Sequence, residues 1–156
     1  MNVTIVNLEK ARGLTMKVRI KKLHENAVIP KYAKEFDAAL DITCTSVEYD
    51  EELGVVTYGT GLAIQLPVGY CALLLPRSSV YKKDLTLSNS CGLLDVGFQN
   101  EILFKYRITK PFSENVYNVG ERVGQILIME NPRVEFVEVQ NLTGYNRGGG
   151  FGSSDA

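Results

Sequence analysis

The chain has 156 residues, 45% of them hydrophobic, with 17 Lys and Arg against 18 Asp and Glu. That length supplies one domain with a normal core, without need of a disulfide or structural metal, and the near-zero net charge excludes a protein that holds polymeric nucleic acid by its general field. No stretch approaches the ~20 apolar residues of a membrane span, no leader pattern opens the chain, and Cys44, Cys71 and Cys91 leave an odd thiol without metal-type spacing, which points to a reducing cytoplasm.

Residues 1–15 are weakly patterned and form either an extension or a first strand, because Met16 stands immediately before the first clear period-two segment, residues 17–23. Short runs rich in Val, Ile, Leu, Tyr and Thr follow at 54–58, 61–66, 70–75, 84–87, 101–108, 123–130 and 134–139, punctuated by Gly54, Gly59, Gly61, Pro67, Gly69, Pro76, Gly92, Gly97, Pro111, Gly120 and Pro132. Such close spacing predicts an all-β domain over 16–143, a sandwich or jelly-roll-like β-barrel, with no βαβ units. The one helical piece expected is a turn or two from Ser78 to Asp84, with a serine able to cap it. Residues 144–156 are glycine-rich and read as a mobile arm.

Five segments carry chemistry. Ala38-Ala39-Leu40-Asp41 places an aspartate at the start of an alternating strand, where it either orients a hydrated Mg²⁺ or pairs with a lysine. Pro76-Arg77-Ser78-Ser79 ends an apolar strand with a cation and two hydroxyls, a pocket for anionic oxygen. Residues 88–103 read as a strand, a tight turn at Val96-Gly97 and a return strand. Apolar Leu93 and Leu94 are expected to hold the Asp95 carboxylate at the rim of a partly desolvated slot, where it accepts a proton from water. Asn89 offers a donor and an acceptor to a pyrimidine edge, and Phe98 a face for a sugar or base. Gly120 to Ile128 sets Gln125 as a lone amide in an apolar strand, facing either a ligand oxygen or a neighbouring main chain. In the arm, Arg147 suits phosphate, Phe151 suits the face of a base, and the backbone amides of Gly152 and Ser153 add phosphate contacts.

In this order and spacing the five segments resemble the motifs of the homotrimeric all-β dUTPases, over residues 16–154. The resemblance implies hydrolysis of dUTP to dUMP and pyrophosphate by in-line attack of water on the α-phosphorus, which limits uracil in DNA and supplies dUMP for dTMP synthesis. It implies Asp95 as the base, Arg77, Ser78, Ser79 and Gln125 on the phosphates, and Mg²⁺ held through water near Asp41. It further implies uracil read by Asn89 with backbone groups around Leu93, Leu94 and Leu103, and Phe98 beneath the deoxyribose. The arm, through Arg147, Phe151, Gly152 and Ser153, is implied to close over a neighbouring subunit's site in a homotrimer. Ala39 stands where the family has Gly, Phe98-Gln99-Asn100 where it has Tyr, Arg or Gln, and Gly, and the arm is one residue shorter between Arg147 and Phe151. The dCTP deaminases share this fold, but Lys105 occupies the place of their catalytic glutamate. A nucleotide-binding regulatory module is the alternative from another class, and a second, protein-binding role is compatible with an intact site.

Overall fold

A computed structural model describes residues 15–146 and Gly148. Ten strands and one short 3₁₀ turn follow one another: β1 Arg19–Lys22, β2 Leu40–Thr43, β3 Ser46–Asp50, β4 Val55–Gly59, β5 Leu62–Gln65, β6 Tyr70–Leu75, the turn Ser78–Lys82, β7 Leu85–Leu87, β8 Gly92–Leu94, β9 Leu103–Ile108 and β10 Arg122–Glu130. They build two four-stranded sheets, in the orders β2-β10-β6-β8 and β3-β4-β9-β7, and a β1-β5 ribbon. Every pairing is antiparallel. The all-β expectation holds.

Period-two alternation determines what each sheet buries. Ile42, Ala72, Leu74, Leu94 and Ile126 of the first sheet face Val56, Tyr58, Phe104, Tyr106, Leu85 and Leu87 of the second in one core. Tyr58, Tyr106 and Tyr117 meet edge-on with ring centroids 5.8–6.0 Å apart. Their polar ends are handled individually: the Tyr106 hydroxyl donates to the Val123 carbonyl at 2.6 Å, and that of Tyr58 accepts from the Tyr117 amide at 3.0 Å. Gly124 lies where β10 passes the Phe104 ring so closely that an added Cβ would stand 2.1 Å from Cε1. At the same place the β2–β10 register shifts between Arg122 and Gly124.

Several expectations change. Residues 134–139 form no strand; Val134, Phe136 and Val139 are 72%, 95% and 55% exposed, for the alternation is present but among the described residues no strand pairs with it. Residues 88–103 are not a hairpin. The turn exists, with the Phe98 amide on the Asp95 carbonyl at 3.2 Å, but β8 pairs with β6 while β9 pairs with β4 and β7, so the two strands belong to opposite sheets. The 3₁₀ turn has Arg77 at its N-cap and no side-chain capping bond, so the serines are not spent on a cap. Strand β3 was not expected. Residues 1–14, Arg147 and residues 149–156, which include Phe151, Gly152 and Ser153, lie outside the described residues.

Candidate functional site

The register of the first sheet brings three of the five segments together. Gln125 on β10 stands opposite Asp41 on β2 and Leu75 on β6, and Arg77 follows two residues after β6. The Gln125 amide nitrogen donates to the Pro76 carbonyl at 2.9 Å, so its partner is the neighbouring main chain, and it fixes the bend at which the chain leaves the sheet. The Asp41 carboxylate accepts from Arg77 Nε at 2.9 Å on one oxygen and from Arg122 Nη1 at 2.8 Å on the other. Its partners are arginines, not a lysine. Both guanidinium groups keep further donors, and the Ser79 hydroxyl lies 3.5 Å from Arg77 Nη1. Ser78 is exposed beside them.

Beyond this pair opens a cleft of about 340 Å³ walled by Arg77, Ser79, Lys82, Lys83, Tyr117, Glu121 and Arg122. Four cations and one carboxylate surround this small opening, with Lys83 paired to Glu121 at 3.7 Å, and the net positive charge makes a seat for a multiply charged anion. Lys82, Lys83, Arg122 and Tyr117 were not singled out from sequence. Arg122 lies 81 residues from the Asp41 it meets, and only its place between Gly120 and Gln125 hinted at it.

Asp95 is elsewhere. It follows β8, in which Leu94 is 6% exposed and faces the core while Leu93 is 60% exposed. The same alternation turns Asp95 outward with Leu93, so the carboxylate is exposed, not held in a desolvated slot. It lines a cleft of about 580 Å³ with Gly69, Tyr70, Glu130, Asn131 and Arg133. Asn89 lies in a third opening, about 310 Å³, with Leu74, Leu87, Leu103, Phe104 and Lys105. The left-handed backbone of Ser90, φ 58°, turns the chain just after it. Strand β8 is the edge of its sheet, so outward N–H and C=O groups of Gly92–Leu94 have no neighbouring strand and remain available to a ligand edge. Phe98 is partly buried against the core.

The three openings share no residue. Leu94 pairs with Ala72, which sets Asp95 beside Cys71, whereas Gln125 and Asp41 share a row with Leu75. Four residues along the strands and three strand spacings across them put Asp95 and Asp41 roughly 20 Å apart at the backbone. Between them the outer face of the sheet carries Leu73, Leu93 and Leu127 in one cross-strand row, with Met129 44% exposed in the next. A sheet apolar on both faces is built to be covered on both.

Among the described residues no group of three or more His, Cys, Asp and Glu side chains could cage a metal, and no helix is long and apolar enough to cross a membrane. All three cysteines are free thiols.

Comparison with known proteins places these features. The dUTPase family profile matches residues 25–155. A deoxyuridine 5'-triphosphate nucleotidohydrolase of Hydrogenobaculum sp. (strain Y04AAS1) is 38% identical over 142 residues, 89% of this chain and 98% of the relative. One from Thermobifida fusca (strain YX) is 35% identical over 90% of this chain and 79% of its own length. Among solved structures, a point mutant of the dUTPase of Staphylococcus bacteriophage 80alpha with dUpNHpp superposes with a TM-score of 0.76 at 22% identity, covering 90% of this chain and 99% of that one. A point mutant of the dUTPase from phage phi11 of S. aureus, described with a structural Mg(II) ion, gives 0.69 at 21% identity over 81% and 98%. At such identities the structures attest the fold.

Proposed function

The chain belongs to the dUTPase family, and from that premise we propose how its residues divide the hydrolysis of dUTP to dUMP and pyrophosphate. Asp95 takes a proton from water as the water oxygen bonds to the α-phosphorus. The bond from that phosphorus to the bridging oxygen breaks, and pyrophosphate leaves with the electron pair. Arg77, Ser78, Ser79 and Gln125 hold the phosphate chain, and the cations Lys82, Lys83 and Arg122 extend that hold to its far end. Asn89 and the free backbone edge of Gly92–Leu94, with Leu103, read uracil. Cytosine reverses a donor and an acceptor there and leaves polar groups unpaired. Phe98 lies under the deoxyribose. Lys105, an amine on the wall of the Asn89 opening, cannot serve as the carboxylate a deaminase needs.

The observation that carries the division is the separation of Asp95 from the Asp41–Arg77–Gln125 row. One α-phosphate cannot touch both within a chain, so the site forms between copies of it. A homotrimer accounts for the apolar outer face of the sheet and for the exposed apolar run from Val134 to Leu142. On this reading residues 16–143 form the barrel. The arm 144–156 brings Arg147, Phe151, Gly152 and Ser153 onto a neighbour's bound nucleotide as a lid.

Magnesium fits as an outer partner. Asp41 already accepts from two arginines and no acidic cage is present among the described residues, which suits an ion that keeps its waters and is carried by substrate phosphates. It would neutralise phosphate charge while Asp41 orients its waters. The free cysteines suit a cytoplasmic setting.

The test is pyrophosphate release from dUTP, dCTP, dTTP and UTP in separate Mg²⁺ reactions, with ammonia followed for dCTP and with each reaction repeated on a chain lacking residues 146–156. Release from dUTP alone, crippled by the truncation, is expected. Ammonia from dCTP, or full activity without the arm, would overturn the respective assignment.

A further inference from the structure

Tyr117 stands out in the basic cleft. It is 4% exposed, and its hydroxyl is the one buried side-chain polar atom without a hydrogen-bond partner among the described residues. Leaving such a group unpaired is costly, so a persistent orphan marks a place where something else supplies the partner. The ring is held by the edge contacts to Tyr58 and Tyr106, and Lys83 Nζ lies 5.1 Å from its centroid. Arg77, the Glu121 carboxylate and the Ser79 hydroxyl are its polar neighbours, none of them in hydrogen-bond geometry with it. Burial raises the phenol above its ordinary value, which keeps it a proton-bearing donor.

We propose that the Tyr117 hydroxyl donates a hydrogen bond to the phosphate-chain end distant from the nucleoside, and so makes this chain discriminate nucleoside triphosphate and pyrophosphate from monophosphate. The cleft supplies what that anion needs. Arg77 and Arg122 are already oriented by Asp41, and Lys83 is steadied by the Val116 carbonyl at 2.7 Å and by Glu121 at 3.7 Å, which leaves the cleft net positive. Lys82 lines the same wall. A neutral donor among these cations adds direction, because an O–H must point at one oxygen whereas a lysine attracts any. This inference rests on the dUTP-hydrolase reading above and adds a residue to it.

The variant Tyr117→Phe keeps the ring and removes only the oxygen. Losing one bond to a charged acceptor should weaken pyrophosphate and raise KM for dUTP by about ten- to a hundredfold, with dUMP affinity unchanged. The unliganded variant should melt at the same temperature as the parent or higher, since it buries no orphan. In the parent, the ¹³C shift of the Tyr117 Cζ should move on saturation with pyrophosphate and stay still with dUMP, a readout that does not depend on the variant folding. Equal pyrophosphate affinity in parent and variant, or a Cζ shift indifferent to pyrophosphate, would overturn the assignment. Should the parent itself fail to hydrolyse dUTP, the broader reading falls instead, and the pyrophosphate titration alone decides the role of Tyr117.

Discussion

Two inactive chains, one carrying Asp95→Asn and the other Arg77→Ala, should make an active protein when assembled together. Asp95 and the row that holds Asp41 and Gln125 are roughly 20 Å apart on one sheet, and Arg77 is ion-paired to Asp41 at 2.9 Å, so, with Asp95 as the proposed base and Arg77 in the proposed phosphate seat, neither chain can complete a site by itself. Removing a general base typically lowers turnover by about 10²–10⁴-fold, and each variant alone should sit near background. In a trimer holding two copies of one variant and one of the other, one of the three junctions joins an intact Asp95 to an intact Arg77. Mixed trimers should then recover about one third of the parent activity. The assay is co-expression under two different tags, sequential purification on both, and pyrophosphate release from dUTP. If doubly tagged trimers are no more active than either variant, the base and the phosphate seat belong to one chain and the reasoning from strand register is wrong.

Three further outcomes follow from the fold. Gly124→Ala drives a Cβ into the Phe104 ring, which is 1% exposed and stacked on Tyr106, and should cost about 1–3 kcal/mol or more in urea unfolding; an unchanged midpoint would mean that β10 runs clear of the ring. Tyr58→Phe strands the buried Tyr117 amide, which bonds the Tyr58 hydroxyl at 3.0 Å, and should lower stability by about 1–3 kcal/mol at constant m. Asp84 is held below the usual carboxylate range by hydrogen bonds from Lys110 and Ser113. Its contribution is therefore present above the ordinary carboxylate pKa and lost as pH falls through the lowered one. Asp84→Asn should flatten the acid limb of the melting-temperature profile, and a parallel curve would show that the pair stabilises nothing.

The sequence made legible whatever depends on local pattern. Gly and Pro mark the ends of β6, and the alternation of β10 shows through its inward Ile126 and Ile128. It hid what depends on distant partners. Strand β3 escaped because, as an edge strand, all but Val47 of its residues are exposed, which leaves little contrast to read. Residues 134–139 have the alternation of a strand, but a pattern does not say which chain supplies the neighbour. The segment 88–103 looks like a hairpin because nothing local reveals that its halves join different sheets. Arg77, Gln125 and Asp41, which the fold brings together, were singled out through their neighbours in sequence. The grip of Arg122 on Asp41 and the orphan hydroxyl of Tyr117 exist only once 40–80 residues of chain have been folded back.

The distance between the base and the phosphate seat also governs how activity scales with abundance. On the proposed reading a lone chain holds no complete site, so turnover per chain should fall as the protein is diluted toward the dissociation range of its assembly, and rise more steeply than in proportion to expression. A cell making few copies would then have almost no activity, and a modest increase in synthesis would switch it on, a threshold imposed by the register of one β-sheet.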